Sequence, residues 1–244
     1  MKNITLYLFS LLSLNACAQQ NDSSVFAPLI SASYSYQWPG GDLVNRFGGN
    51  SSIGASFMIK TKSNWIFGID GNFIFGNNVK ENGILDSIST VNGKIIDENG
   101  GEAEIDFFER GFLTSLKFGR LFSLPASNKN SGVVIIAGAG LLQHKIRING
   151  EAPQLQDDYK KGYDRLTNGL ALSEFIGYLY LGKKRVLNFY AGFDFTQAWT
   201  QNRRSYNFDT MEKDETKRID VLSGFKVGWM IPLYKGSPEE YYYY

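Results

Sequence analysis

Hydrophobic and polar positions alternate with a period of two through most of the chain after residue 20, and turn residues separate the alternating segments. In one segment Phe67, Ile69 and Phe73 alternate with Asp70 and Asn72. Successive side chains of a β-strand point to opposite faces, so this period is typical of strands with one apolar face. The pattern predicts eight strands, at about residues 29–38, 52–60, 65–76, 108–122, 132–146, 170–181, 186–199 and 219–234.

Two segments differ from the others in how their faces are assigned. The fifth is apolar on both faces, so its orientation stays open. The sixth carries Glu174 and Tyr178 on one face and Phe175 and Leu179 on the other, and we expect Glu174 on the polar face.

The connections between the segments alternate in length. Residues 39–51, 77–107, 147–168 and 200–218 are long and rich in charge, whereas 61–64, 123–131 and 182–185 are short. Outer-membrane barrels have long external loops and short periplasmic turns, and about ten tilted strand residues cover their apolar band of roughly 25 Å. The sequence therefore predicts an all-β fold, an eight-stranded antiparallel up-and-down transmembrane β-barrel in the outer membrane.

The N-terminal segment has the composition of a secretory signal peptide, with Lys2, an apolar run over residues 4–14 and then small residues, and it is too short to span a membrane. Cleavage after Ala18 would give a signal peptide over 1–18, a barrel over 19–235 and a periplasmic tail over 236–244. Residues 14–17 also resemble a bacterial lipobox, in which Cys17 would be the lipid anchor. Both interpretations stay open.

Composition narrows the classes of function. The 244 residues include 25 basic and 24 acidic side chains, one Cys and one His. This balance gives no reason to expect nucleic-acid binding. The low Cys and His counts exclude disulfide frameworks and Cys/His zinc sites. We expect no cofactor and no metal.

The chemistry of the two faces favours a membrane barrel over a soluble ligand-binding barrel. The face opposite the aromatic side chains is mostly Ser, Gly, Asn and Thr, which suits a narrow interior filled by small side chains. The other face is rich in Phe, Ile, Val and Leu, with Trp and Tyr near the segment ends, as expected for lipid-facing girdles.

Charges inside the segments are expected to face the interior and to pair there, since an unpaired charge in a membrane is costly. An eight-stranded barrel has room inside only for side chains, so passive conduction is not expected. The predicted luminal charge network consists of Asp70, Lys117, Glu174, Asp194 and Lys226. A second set, all basic, predicts a periplasmic rim facing lipid phosphates; it consists of Lys60, Lys62, Arg120, Lys129, Lys183, Lys184 and Arg185.

A lipid-modifying barrel enzyme is the alternative function. The single histidine, His144, lies near the outer end of the fifth segment, and Ser173 is the nearest candidate nucleophile. A Ser–His hydrolase needs the two within hydrogen-bond reach and an orienting carboxylate. No nucleophile motif surrounds Ser173, so we assign no catalytic residue and expect His144 at the rim, near lipid headgroups.

Two of the long connections have features of partner-binding loops. Residues 77–107 contain three Asn-Gly pairs, which are hairpin-turn signals. Residues 147–168 are dense in Tyr and mixed charge, and Tyr and Arg are favoured at interface anchors. We expect these loops to dock a protein partner.

The last segment, residues 224–234, is similar to the assembly signal of outer-membrane barrels, with Trp229 and Tyr234 as its aromatics, although the chain runs ten residues further. With the eight segments and the leader, it makes the chain resemble the small eight-stranded outer-membrane β-barrel proteins of Bacteroidota, which include OmpA- and OmpW-like barrels and PorG-type accessory barrels of type IX secretion. The resemblance implies an accessory role in secretion or outer-membrane assembly, which some of these barrels have. We therefore predict a monomeric, non-enzymatic barrel that is a structural or accessory subunit of an envelope complex.

Mass spectrometry of the mature N-terminus distinguishes the two processing routes. Ordinary cleavage leaves Gln19 as the first residue, whereas lipoprotein processing leaves a diacylglyceryl-modified Cys17. Under the second route, Cys17→Ser removes the lipid mass; under the first, the mature mass does not change. An intact Met1 in the membrane-inserted protein would contradict both.

Overall fold

The computed structural model describes residues 24–81, 83–124, 128–182 and 187–233. These residues form a closed ring of eight antiparallel strands, in which each strand pairs with the next and the last pairs with the first. The strands are β1 Ala27–Gly41, β2 Asn50–Lys60, β3 Trp65–Gly76, β4 Asp106–Ser123, β5 Gly132–Asn149, β6 Thr167–Leu181, β7 Asn188–Asn202 and β8 Lys217–Pro232. The predicted fold is confirmed, and each predicted segment overlaps one strand.

Four loops, here named L1 (42–49), L2 (77–105), L3 (150–166) and L4 (203–216), emerge at one end of the ring. Short α-helices lie in two of them, α1 Leu43–Arg46 in L1 and α2 Asp157–Lys160 in L3, and short 3-10 helices lie at Asp86–Ile88 in L2 and Pro153–Leu155 in L3. Within the described part of the chain, no helix has the length and apolar character needed to cross a membrane. Three predicted features lie outside the described residues: the leader with Cys17, the rim residues Lys183, Lys184 and Arg185, and the tail 236–244.

The apolar face of the strands is turned outward. On β1, Ile30, Tyr34 and Trp38 are 45%, 46% and 53% exposed, whereas Ser31 and Ser35 are buried. A soluble barrel would have the opposite arrangement, with its apolar side chains inside. The band of exposed Phe, Ile, Leu and Val is therefore a hydrocarbon-facing surface, as the alternation predicts.

Aromatic side chains mark both edges of this band. At the periplasmic end Trp65 stacks on Phe118 at 5.1 Å between ring centroids, and the guanidinium of Arg120 lies 5.0 Å from the Trp65 ring. At the opposite end Tyr36 and Trp38 contact edge to face at 5.3 Å. Such girdles place amphipathic rings at the two lipid interfaces.

The strand pairing shows which face of β5 points into the barrel, and it corrects the predicted orientation of β6. On β5, Ile135 and Leu141 are exposed, and Val134 and Leu142 are buried inside. On β6 the expected orientation is wrong, because Phe175 is buried inside and Glu174 is exposed on the exterior. The register with the neighbouring strands fixes the face of every β6 residue at once, and leucines on both faces hide this choice in the sequence.

The interior is less polar than expected. Small and polar side chains fill its middle, and a buried apolar cluster lies at each end beside further buried polar groups. The periplasmic cluster comprises Ala27, Leu29, Met58, Ile66, Leu121, Val134, Ile136, Phe175, Leu179, Leu181, Tyr190 and Met230. The extracellular cluster comprises Leu43, Phe47, Ile74, Ile84, Leu85, Ile95, Leu113, Leu142, Ile146, Ile148, Ala152, Leu155, Tyr163, Ala171, Ala198 and Leu222.

Interior glycines make room for large aromatic side chains inside so narrow a barrel. A Cβ on Gly228 would lie 2.3 Å from the ring of Tyr190, and a Cβ on Gly177 would lie 2.7 Å from the ring of Phe175. Interior glycines therefore leave space for a neighbour's large side chain, rather than marking a uniformly small filling.

We expect Leu116→Arg to lower the free energy of unfolding by about 2–4 kcal/mol, because Leu116 is 68% exposed near the middle of β4 and an arginine there enters hydrocarbon. Equilibrium urea unfolding in phospholipid vesicles measures this change. The matched control is Asn149→Arg at the extracellular end of β5, for which about 0–1 kcal/mol is expected. Equal effects at the two positions would contradict the lipid-facing assignment.

Candidate functional site

Buried ion pairs cross the middle of the lumen. The ammonium of Lys117 lies 3.4 Å from Asp70 Oδ2 and donates a 2.7 Å hydrogen bond to Ser173 Oγ. Asp70 also accepts hydrogen bonds from Ser115 Oγ at 2.5 Å and Asn72 Nδ2 at 3.0 Å. The two charges are therefore compensated between the neighbouring strands β3 and β4, and Ser173 of β6 adds a neutral hydrogen bond.

A second pair lies on the opposite wall. Lys226 Nζ is 3.2 Å from Asp194 Oδ2, and both side chains are less than a tenth exposed. Both pairs line a cavity of about 40 Å³, which has room for only a few water molecules. The structure thus places four of the five predicted network residues in the lumen. Glu174 is not among them, because β6 turns its side chain to the exterior.

The periplasmic end of the lumen is closed around Lys60. This side chain is fully buried, and its ammonium donates to Ser24 Oγ, Val25 O and Asn130 Oδ1 at 2.9, 3.2 and 3.0 Å. The prediction that Lys60 belongs to a lipid-facing rim is wrong, because its position on β2 points inward. Lys62 and Lys129 are exposed at this end. Lys60 joins the start of the barrel to a periplasmic turn.

His144 lies inside the barrel, not at the lipid rim as expected. It is 2% exposed, its Nε2 is 2.9 Å from Asp220 Oδ2, and Phe47 packs edge to face on its ring. Thr200 Oγ1 donates to the same carboxylate oxygen at 2.5 Å. Even β5 positions face inward near the extracellular end, which the doubly apolar pattern of this segment does not reveal.

The structure does not bring His144 and Ser173 together. On β5, His144 pairs with Thr167 of β6, whereas Ser173 pairs with Gly138, six positions away. Ser173 instead accepts a hydrogen bond from Lys117. Among the described residues, no group of three or more His, Cys, Asp or Glu side chains is arranged to hold a metal ion.

The extracellular loops are tied to one another by buried ion pairs. Arg46 of L1 donates to Glu81 Oε1 of L2 at 3.0 Å and to Thr167 Oγ1 at the start of β6 at 3.1 Å. Arg165 of L3 contacts Glu81 at 3.8 Å and bonds Asp209 of L4. Burial lowers the pKa of Arg46 from its usual value, and the ion pair with Glu81 opposes this shift. The four loops therefore form one joined layer, named here the extracellular cap.

A second link joins L3 to L4. Arg204 donates from Nε and Nη2 to the two carboxylate oxygens of Asp164, at 2.8 and 2.5 Å, and these hydrogen bonds raise the pKa of Arg204. Bidentate pairs of this kind fix geometry as well as charge. None of these cap partners emerged from the sequence, because residues such as Arg46 and Glu81 lie 35 positions apart and look like ordinary loop charges.

An aromatic patch lies on the cap, where L3 and L4 meet. Phe208 is surrounded by the rings of Tyr163, Tyr159 and Tyr206, with centroids 5.5, 6.2 and 6.3 Å away. Tyr159 is 57% exposed, Tyr206 is 43% exposed, and the nearby L4 residue Met211 is 62% exposed. We call Tyr159, Tyr206, Phe208 and Met211 the cap patch.

L2 lies mainly on the inner side of the cap, over the mouth of the barrel. Its residues Ile84, Leu85 and Ile95 are buried in the extracellular cluster, so this loop covers the mouth of the barrel. Short β-bridges join Ile96 to Glu102 and Val79 to Phe47. Deletion of residues 80–104 would therefore uncover the lumen as well as remove loop surface.

Comparison with known proteins yields neither a matching family model nor a matching curated sequence. Several solved structures are similar in fold. Neisserial surface protein A shares 12% identity over 84% of this chain and 96% of its own, with a TM-score of 0.44. Ail, the attachment invasion locus protein of Yersinia pestis, shares 10% over 84% and 98%, with a TM-score of 0.39. OprG from Pseudomonas aeruginosa shares 12% over 88% and 99%, with a TM-score of 0.38.

The closed ring of strands and its lipid-facing exterior make this chain an outer-membrane β-barrel. The similarity to these structures concerns the fold, and it transfers no ligand, partner or activity to this chain.

We expect Lys226→Met to lower the free energy of unfolding by about 3–5 kcal/mol, because it leaves the Asp194 carboxylate buried without its cation. The double variant Lys226→Met with Asp194→Leu removes both charges, and most of the loss should be recovered. Urea unfolding in lipid vesicles, followed by tryptophan fluorescence, gives both values. A double variant no more stable than the single one would show that the two charges do not depend on each other.

Proposed function

We propose that this outer-membrane barrel is a non-enzymatic structural or accessory subunit of an envelope complex, and that it contacts a protein partner through the extracellular cap. The resemblance to accessory barrels of secretion and outer-membrane assembly agrees with this role. The cap patch is the observation that carries the proposal.

The closed lumen argues against a role in passive transport. Ion pairs occupy its middle, apolar clusters fill both ends, and Lys60 joins the residues at the periplasmic mouth. An eight-stranded ring has an interior only wide enough for side chains, and here those side chains fill it along its length.

The cap is suited to binding because its loops order one another. Arg46, Glu81, Arg165 and Asp209 hold the four loops together without a partner, so binding would not have to supply the entropy of ordering them. The exposed Tyr and Met side chains of the cap patch are of the types enriched at interfaces. The partner surface therefore lies on L3 and L4 more than on L2.

The enzyme hypothesis has less support. The buried His144 is paired with Asp220, but its Nδ1 atom contacts no hydrogen-bond partner in the described residues, and so no hydroxyl nucleophile.

The double variant Tyr159→Ser with Tyr206→Ser tests the cap patch. Because interface aromatics often contribute 2 kcal/mol or more each, we expect at least about a tenfold loss of partner recovered with the tagged, detergent-solubilised chain. Val91→Ser at the exposed tip of L2 is the control and should leave recovery unchanged. Full recovery with the double variant would overturn the assignment of the surface.

Single-channel recording tests the closed lumen separately. The purified wild-type chain in planar bilayers should show no stable conductance. A reproducible open state would contradict a purely structural role, whatever the outcome for the cap patch.

A further inference from the structure

One acidic side chain stands apart on the lipid-facing wall. Glu174 is exposed on the exterior of β6, between outward-facing Leu172 and Ile176, which are 51% and 53% exposed. Its cross-strand neighbours are Ala137 of β5 and Phe195 of β7. Each of these four neighbours is apolar.

Glu174 lies at mid-depth in the apolar band. It is the central residue of Thr167–Leu181, seven positions from either end. A glutamate also lacks the long aliphatic stem by which Lys and Arg reach the interface from inside a bilayer. This carboxyl group therefore stays in the hydrocarbon region, where ionisable residues are rare and usually mark a functional contact.

The described residues offer Glu174 no partner. Its side chain forms no ion pair or hydrogen bond with any of them. The exterior cations of β4 and β5 lie within four residues of a strand end; they are Arg110, Arg120, Lys145 and Arg147. The barrel itself thus leaves an uncompensated acidic group on its lipid-facing wall.

We propose that this wall is an intramembrane docking face for a membrane-spanning segment of another protein that carries a Lys or Arg at mid-depth. The face consists of Ala137, Leu172, Glu174, Ile176 and Phe195. The small Ala137 leaves the carboxyl group open to approach from the β5 side, and an incoming cation would satisfy it. The inference rests on the proposed role as a complex subunit and adds a second contact, separate from the cap.

Charge and depth favour a basic spanning segment over two other occupants of this face, a second copy of the chain and a cationic lipid. A second copy related by a twofold axis would set Glu174 against Glu174, and its exterior cations lie near the strand ends, away from mid-depth. A cationic lipid headgroup stays at the interface and does not reach the centre of the band. A basic side chain on a spanning segment is the occupant that matches both depth and sign.

Site-specific photocrosslinking in the native outer membrane tests the proposal. A benzophenone amino acid replaces Ile176 on this face or Ile53 on β2, across the ring, which is similarly exposed at 52%. We expect an adduct of one defined mass from position 176 and none from position 53. Peptide sequencing should place the adduct in a membrane-spanning segment that contains Lys or Arg.

Glu174 variants in the same crosslinking strain give the charge dependence. Glu174→Asp should retain the adduct, while Glu174→Gln and Glu174→Leu should reduce its yield at least fivefold at equal barrel abundance. Exchanging the charges, with Glu174→Lys here and Glu at the crosslinked basic position of the partner, should restore it. This rescue is not expected if Glu174 only supports the barrel fold.

The other outcomes overturn the inference in distinct ways. An adduct between two copies of this chain would identify a homodimer face. An adduct whose yield is unchanged by Glu174→Gln would refute the proposed basic residue of the partner. The absence of any adduct at position 176 would refute the docking face itself. A benzophenone at Met211 in the cap reports the proposed function independently, so loss of the 176 adduct with retention of the 211 adduct would refute this inference alone.

Discussion

Hydrogen bonding of the backbone in hydrocarbon is the constraint on which this structure depends. A bilayer core offers no water to an unpaired N–H or C=O group, so a sheet can cross it only when no edge is left open. Pairing of β8 with β1 closes the ring and removes the edge. Once the ring is closed, alternate residues of each strand face lipid or the interior. The register with which a strand pairs with its neighbours therefore decides the environment of all of its side chains.

The interior shows how polar and apolar groups share a narrow space. Lys117 and Lys226 each reach an aspartate at the centre, and at the two ends large apolar side chains pack around further buried polar groups such as Lys60 and His144. Interior glycines make this packing possible because they have no side chain and so leave space for aromatic rings such as that of Tyr190. The result is a packed barrel whose buried polar groups are paired with one another across neighbouring strands.

The surface combines two different environments. Above the membrane, ion pairs centred on Arg46 and Arg165 join the loops into a cap that exposes aromatic side chains. Within the membrane, Glu174 places an acidic side chain among apolar neighbours on the outer wall. Both features are places where we propose contact with other molecules, and neither belongs to the framework that holds the ring closed.

The sequence by itself determined the class of fold, the number of strands and the side of the barrel that meets lipid. These follow from a local property, the alternation of side chains such as Ile30 and Ser31, together with loop lengths. It also indicated that Asp70, Lys117, Asp194 and Lys226 turn inward. Only the tertiary structure decided the faces of β5 and β6, the burial of Lys60 and His144, and the pairing of Arg46 with Glu81. Those outcomes depend on register and on contacts between distant segments, which local periodicity does not encode when both faces of a strand are apolar.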